Sequence, residues 1–177
     1  MKTCLSLVLL GVLSLTLSSS AQAQGEPKSW AVGLRLGEPL GLNVRKYLGE
    51  DRNHAFDVSV GAIGALWGVD RKYGTTGRYK NAGLAINANY LWIVGNGPFR
   101  PFYGFGGQIT SRRNYPDRLS GDFEKKIGLG ASGLAGFEYF LPSSPVSLFL
   151  DLGLYLEVLP VPFFPNVQAG VGVRFNL

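Results

Sequence analysis

Residues 146–158 alternate between two kinds of side chain without a slip. Val146, Leu148, Leu150, Leu152, Leu154, Leu156 and Val158 make one face, and Ser147, Phe149, Asp151, Gly153, Tyr155 and Glu157 make the other. Successive side chains of a β-strand point to opposite sides, so a sustained period of two specifies one long strand with two unlike faces. A helix would scatter the same leucines around its circumference. Whatever fold the chain adopts must hold this strand between two different environments.

The pattern recurs seven more times. Residues 30–36 set Trp30, Val32, Leu34 and Leu36 against Ala31, Gly33 and Arg35. Residues 42–48 set Leu42, Val44, Lys46 and Leu48 against a face with Arg45; Lys46 fits the apolar side only if its ammonium snorkels to an interface, so the register of this strand stays open. Residues 55–63 oppose Phe56, Val58, Val60 and Ala62 to Asp57, Ser59 and Gly61, and residues 83–92 oppose Leu84, Ile86, Ala88, Tyr90 and Trp92 to Asn87 and Asn89. Segments 99–109 and 127–139, the latter with Glu138 on its polar side, complete the interior of the count. The last, 166–177, places Val167, Ala169, Val171, Val173, Phe175 and Leu177 against Gln168, Gly170, Gly172, Arg174 and Asn176.

Eight such strands predict an all-β chain, an eight-stranded antiparallel up-and-down transmembrane β-barrel. No internal run approaches the roughly 18 apolar residues of a membrane helix. The connections support the same picture. Turns 49–53, 95–98 and 142–145 are short and rich in Gly, Pro, Asn and Ser, whereas 64–81 and 111–125 are long and polar. Segment 159–165 is shorter and apolar, and 37–41 is short. Tight turns at one end and longer loops at the other are the habit of outer-membrane barrels.

Alternation alone does not say which face is inside, since a soluble ligand-binding barrel would turn its apolar face inward. Here the polar face holds small residues, which suit the narrow bore of eight strands. Its charges are of both signs, and Arg35, Arg45, Asp57, Glu138, Asp151, Glu157 and Arg174 are expected to pair as a network in the lumen. With the chain entering from the periplasm, Trp30, Phe56, Trp92, Phe99, Tyr139 and Phe175 all fall at one end of the apolar face, as an aromatic girdle would.

The N-terminus reads as an export signal. Lys2 precedes an apolar run over residues 5–17, and Ala21-Gln22-Ala23 forms a small-x-small cleavage site. The expected division is a signal peptide over residues 1–23 and a barrel over residues 24–177. Cys4 is the chain's one cysteine and lies in the leader, so residues 24–177 have no thiolate, disulfide or cysteine metal site. Gln24 at the cleavage point argues against a lipoprotein. Of 17 Lys and Arg residues only Lys2 precedes residue 24, which leaves 16 against 12 acids, a net charge of +4. The cations gather in loops rather than on one face, so nucleic-acid binding is not expected.

Gly172, Phe175 and Leu177 resemble the C-terminal signal by which bacterial outer-membrane barrels are recognised for assembly, with Leu177 in place of the usual terminal aromatic. With the leader, the eight two-faced strands and the length, the chain resembles the small outer-membrane barrels of the OmpA transmembrane-domain and OmpX type. Residues 32–42 also resemble the openings of small outer-membrane barrel families. The resemblance implies a fold, the outer membrane of a Gram-negative bacterium as location, and the barrel assembly machinery as a partner; it implies no particular activity.

No catalytic or metal constellation stands out, and no cofactor is implied. His54 is the one histidine and sits at a turn with no serine beside it. The glycines of 104–107 and 128–130 are not phosphate loops, because no helix follows them. The loop set Asp70, Arg71, Lys72, Arg78 and Lys80 carries +3. The set Arg112, Arg113, Asp117, Arg118, Asp122, Glu124, Lys125 and Lys126 carries +2. Such loops suit contact with outer-membrane lipid and the phosphates of lipopolysaccharide. A structural or surface-interaction barrel, with its lumen plugged by charged side chains, is the expected function. A narrow pore, a lipid A-modifying enzyme and a soluble periplasmic ligand-binding barrel are the alternatives.

Overall fold

A two-faced strand leaves its edge amides unpaired unless another strand covers them, and a sheet that closes on itself has no edge left. That is the solution found in the computed structural model, which describes residues 28–64, 71–73, 77–79, 83–115 and 124–177. The strands are β1 (Trp30–Gly37), β2 (Leu40–Leu48), β3 (His54–Ile63), β4 (Arg71–Tyr73) and β5 (Gly77–Tyr79). They continue with β6 (Gly83–Ile93), β7 (Phe99–Tyr115), β8 (Glu124–Phe140), β9 (Val146–Leu159) and β10 (Phe164–Asn176). The expected signal peptide, residues 1–23, lies outside the described residues.

Eight of these strands form the wall. Each pairs antiparallel with its neighbours, in the ring β1-β2-β3-β6-β7-β8-β9-β10, and β10 closes back on β1 from Ala31↔Asn176 to Gly37↔Gly170. The chain end is held as well, with Leu177 N donating to Trp30 O at 2.7 Å. Both chain ends of the barrel and the three short turns share one end, here the turn end. The opposite, loop end carries the connections after β1, β3, β7 and β9.

The register of β2 is settled by its neighbours: Lys46 stands opposite Trp30 on one side and Phe56 on the other, and Arg45 stands opposite Asp57. Lys46 therefore faces outward, with its Nζ over the Trp30 ring at 5.1 Å. An aromatic face offers the ammonium a partner without leaving the outer wall.

Two differences from the sequence expectation have one cause. β7 runs to Tyr115 and β8 begins at Glu124, well beyond residues 109 and 127, and segment 64–81 contains the short hairpin β4–β5, whose β5 pairs with the far end of β7. Where both faces of a strand are polar, no alternation of polarity exists to be read.

Polarity is inverted relative to a water-soluble barrel. Leu34, Leu36, Ile86, Leu150, Leu152 and Val171 are exposed on the outer wall, while Arg45, Asp57, Glu138 and Arg174 are buried in the interior. The soluble ligand-binding alternative required the opposite arrangement, and it fails on this point. The interior is not wholly polar. Ala31, Tyr47, Ala55, Leu91, Ile93, Phe102 and Phe140 form one buried apolar cluster, with Leu134 packed against it. Most of these residues sit near the strand ends, so the cluster lies across the lumen at the turn end.

Candidate functional site

Directly above that apolar cluster lie four charges. Arg45 and Asp57 face each other in register across β2 and β3, while Glu138 comes from β8 and Arg174 from β10. Arg45 Nε donates to Asp57 Oδ2 at 2.7 Å, and Arg45 Nη1 donates to Glu138 Oε2 at 2.8 Å. Arg174 Nη2 donates to the same Asp57 Oδ2 at 3.1 Å, and its Nη1 lies 3.1 Å from Glu138 Oε1. Each cation thus touches both anions and each anion both cations.

Such redundancy is what burial requires. Removing an ion from water costs several kcal/mol, and one imperfect partner does not offset that. Neutral groups complete the set. Tyr47 Oη and Ser147 Oγ donate to the two oxygens of Glu138 at 2.8 and 2.6 Å, and Asn43 Nδ2 donates to Asp57 Oδ1 at 2.8 Å. Arg174 Nε in turn donates to Asn43 Oδ1 at 2.5 Å. The guanidiniums lie over aromatic rings, Arg45 over Phe102 at 4.3 Å and Arg174 over Phe149 at 3.6 Å. Every carboxylate oxygen of the cluster accepts at least one hydrogen bond from a wall residue.

Gly172 makes room for this arrangement. It stands in register with Phe149, and a Cβ on it would lie 2.5 Å from the Phe149 ring and 2.2 Å from Leu34 O. The ring lies across the glycine and carries Arg174 above it. One member of the expected assembly signal therefore has an internal packing role.

A second group lies nearer mid-barrel. Arg35 Nη1 is hydrogen-bonded to Asp151 Oδ2, Arg35 Nη2 donates to Glu38 O at 3.0 Å, and the guanidinium rests against the bare backbone of Gly170. Arg35 Nε and Asp151 Oδ1 are buried without a hydrogen-bond partner. They border a cavity of about 10 Å³ lined also by Asp57, Ser59, Asn87 and Gln168. That is close to the roughly 10–15 Å³ that one water molecule needs. Beside it runs a chain of amides: Asn87 Nδ2 and Gln168 Nε2 both donate to Gln108 Oε1, at 2.8 and 2.7 Å, and Ser132 Oγ donates to Asn89 Oδ1 at 2.7 Å.

Of the seven charges expected to pair in the lumen, the structure brings four into one cluster and two into another. Glu157 stands apart from both, buried towards the loop end against Gly128, with Tyr155 Oη 3.5 Å from its Oε2. Reading charges alone missed Asn43, Tyr47, Ser147 and the two rings. Their signal was present: each sits on the polar parity of its strand, and an aromatic out of phase there marks a side chain turned inward. Glu38 was also missed. It folds from the short β1–β2 connection into the interior and accepts from Gly64 N at 2.8 Å.

The six expected girdle aromatics all lie on the outer wall near the turn end. Trp30, Phe56, Phe99 and Tyr139 are exposed, while Trp92 and Phe175 are half-buried. They form part of a larger array. Trp92 contacts Tyr90, Tyr103 and Phe105 with ring centroids 5.1–5.7 Å apart, Phe56 meets Tyr90 at 5.2 Å, and Phe99 meets Phe137 at 5.2 Å. The array spans β3, β6, β7 and β8, whereas the outer wall of β9 and most of β10 is aliphatic. His54 opens β3 and joins this array, 5.8 Å from the Tyr90 ring. Among the described residues no group of three or more His, Cys, Asp or Glu is placed to hold a metal.

Of the loop charges, Lys125 is exposed and Lys126 pairs with Glu124 at 2.7 Å. For Arg71, Lys72, Arg78, Arg112 and Arg113 the backbone alone is described. Asp70, Lys80, Asp117, Arg118 and Asp122 lie outside the described residues.

An eight-stranded closed meander with an apolar exterior and a charged interior defines the class: the fold is that of the small eight-stranded outer-membrane β-barrels. No protein-family model matches the chain, and no curated protein does. Among solved structures, the N-terminal β-barrel domain of Pseudomonas aeruginosa OprF superposes with a TM-score of 0.59, covering 88% of this chain and 100% of that domain at 16% identity. Neisserial surface protein A (NspA) covers 88% of this chain and 99% of its own, at 17% identity and a TM-score of 0.47.

Proposed function

We propose that this chain is exported, cut after Ala23, and inserted in the outer membrane of a Gram-negative bacterium as a structural or surface-interaction barrel with a closed lumen. One observation carries the reading: leucines and valines cover the outside while interlocked arginines and carboxylates fill the inside. An exterior of that kind is at rest only in hydrocarbon. The apolar cluster at the turn end and the charge cluster above it support a bore that does not conduct. Outer-membrane lipid and lipopolysaccharide are the proposed partners of the surface, and the assembly machinery would recognise the terminal strand with Gly172, Phe175 and Leu177.

Fractionation and gel mobility test this together. The expected result is a protein in the outer-membrane fraction that migrates differently before and after boiling, because a closed barrel resists detergent until heated. A mature chain free in the periplasm would overturn it. Planar bilayers test the closed lumen: no discrete conductance is expected, and stable single-channel steps would favour the pore instead.

A further inference from the structure

β7 and β8 do not end where their outward apolar residues end. Ile109 and Ile127 are the last such residues on the outer wall towards the loop end, both exposed, and the two strands continue to Tyr115 and Glu124. Along this extension Arg112 is in register with Lys126 and Arg113 with Lys125. The hairpin β4–β5 adds two strands to it and sets Lys72 opposite Arg78. Three directly opposed pairs are therefore cation against cation, an arrangement that weakens strand pairing when nothing neutralises it.

Strand alternation sorts these positions. Residues 113 and 125 share the face of Ile109, Ser111 and Ile127, which is the outer wall; residue 115 follows on that face, in register with 78, which is in register with 72. Residues 112 and 126 continue the lumen-side face together with Glu124, whose carboxylate is taken by Lys126 at 2.7 Å. Among the described residues of the extension, the outer face thus holds four cation positions and no acid.

We infer that the outer face of this four-stranded extension, centred on Arg78, Arg113 and Lys125, binds the phosphate groups of lipids in the leaflet around the loop end. The inference rests on the reading that the barrel spans a membrane. The face is a direct continuation of the apolar wall, so an anion bound there sits immediately above hydrocarbon, where a lipid phosphate lies and a dissolved polyanion has no reason to prefer it. Lysine and arginine near such a surface pair with phosphate and are favoured there. Neutralisation also reduces the repulsion within the two opposed pairs of the outer face, Arg113 with Lys125 and Lys72 with Arg78, so lipid binding and pairing of the extension are coupled.

The test uses the full mature chain in phosphatidylcholine nanodiscs with and without bisphosphorylated lipid A, with retained lipid A read by native mass spectrometry. Amide exchange over residues 78–79, 112–115 and 124–126 is followed in parallel. Lipid A is expected to slow that exchange, and the outer-face double variant R113E/K125E is expected to weaken lipid A retention by at least roughly tenfold. The lumen-side variant R112E/K126E, with the same change in net charge, is expected to stay within about threefold. Equal loss in both variants would overturn the face assignment, and unchanged retention in R113E/K125E would overturn the site. Equal protection by soluble inositol hexakisphosphate in pure phosphatidylcholine would assign the patch to a dissolved ligand instead. Failure of the chain to insert in nanodiscs at all would count against the membrane reading, a separate outcome.

Discussion

The two charge groups of the interior use the same residue types at similar burial, yet they are built differently. In the group near the turn end, Arg45, Asp57, Glu138 and Arg174 each meet two opposite charges, and neutral donors add hydrogen bonds to both carboxylates. At mid-barrel, Arg35 and Asp151 share one contact, and each keeps a buried polar atom without a protein partner next to a water-sized cavity. In the first group every carboxylate oxygen is hydrogen-bonded, and the one buried atom left without a hydrogen bond, Arg174 Nη1, still lies 3.1 Å from Glu138 Oε1. The second is open on one side, and the difference lies in packing rather than in charge.

Breaking the first group should have the largest effect. Asp57→Ala leaves two buried guanidiniums to share the single carboxylate of Glu138, an uncompensated buried positive charge, and is expected to destabilise the folded barrel by about 3–5 kcal/mol; urea unfolding in lipid vesicles, followed by tryptophan fluorescence, measures it. Asp151→Ala strands one guanidinium beside space that can admit water, so a loss of about 2 kcal/mol is expected in the same assay. Equal losses at the two sites would erase the distinction drawn between them. A sharper comparison replaces both partners. Arg35→Leu with Asp151→Leu should be near neutral, because no unpaired charge is left behind, whereas Arg45→Leu with Asp57→Leu leaves Arg174 and Glu138 with fewer partners and should remain destabilising.

Smaller effects test the supports. Phe149→Leu removes the ring between Gly172 and Arg174 and is expected to cost about 1 kcal/mol through the lost cation–π contact. Lys46→Ala removes the outer contact with Trp30 and should cost roughly 0.5–1 kcal/mol. Folding in vesicles with thinner hydrocarbon should leave the Phe149 effect unchanged and alter that of Lys46, since one lies inside the wall and the other on it.

Much of this was legible in the chain. Each of the eight wall strands shows its two faces locally, and all seven of the expected lumen charges are buried inside. What could not be read was who meets whom. Arg45 and Glu138 are 93 residues apart and Asn43 and Arg174 are 131 apart, and they touch only because the ring closes with a particular stagger. The apolar cluster was hidden for a related reason. Tyr47, Leu91, Phe102 and Phe140 sit on the parity that elsewhere is polar, so a search by polarity passes over them. The extension of β7 and β8 was hidden by the opposite condition, two polar faces with no contrast between them.

The amino-acid sequence by itself determined the strands and their two unlike faces, because a period of two is a property of each strand and needs no neighbour. It determined the aromatic end of the wall for the same reason. Tertiary structure alone decided that Arg45 and Arg174 share two carboxylates, that Glu157 stands away from them, and that opposed cations line the extension at the loop end. Those outcomes depend on distances across a closed ring, which no local pattern encodes.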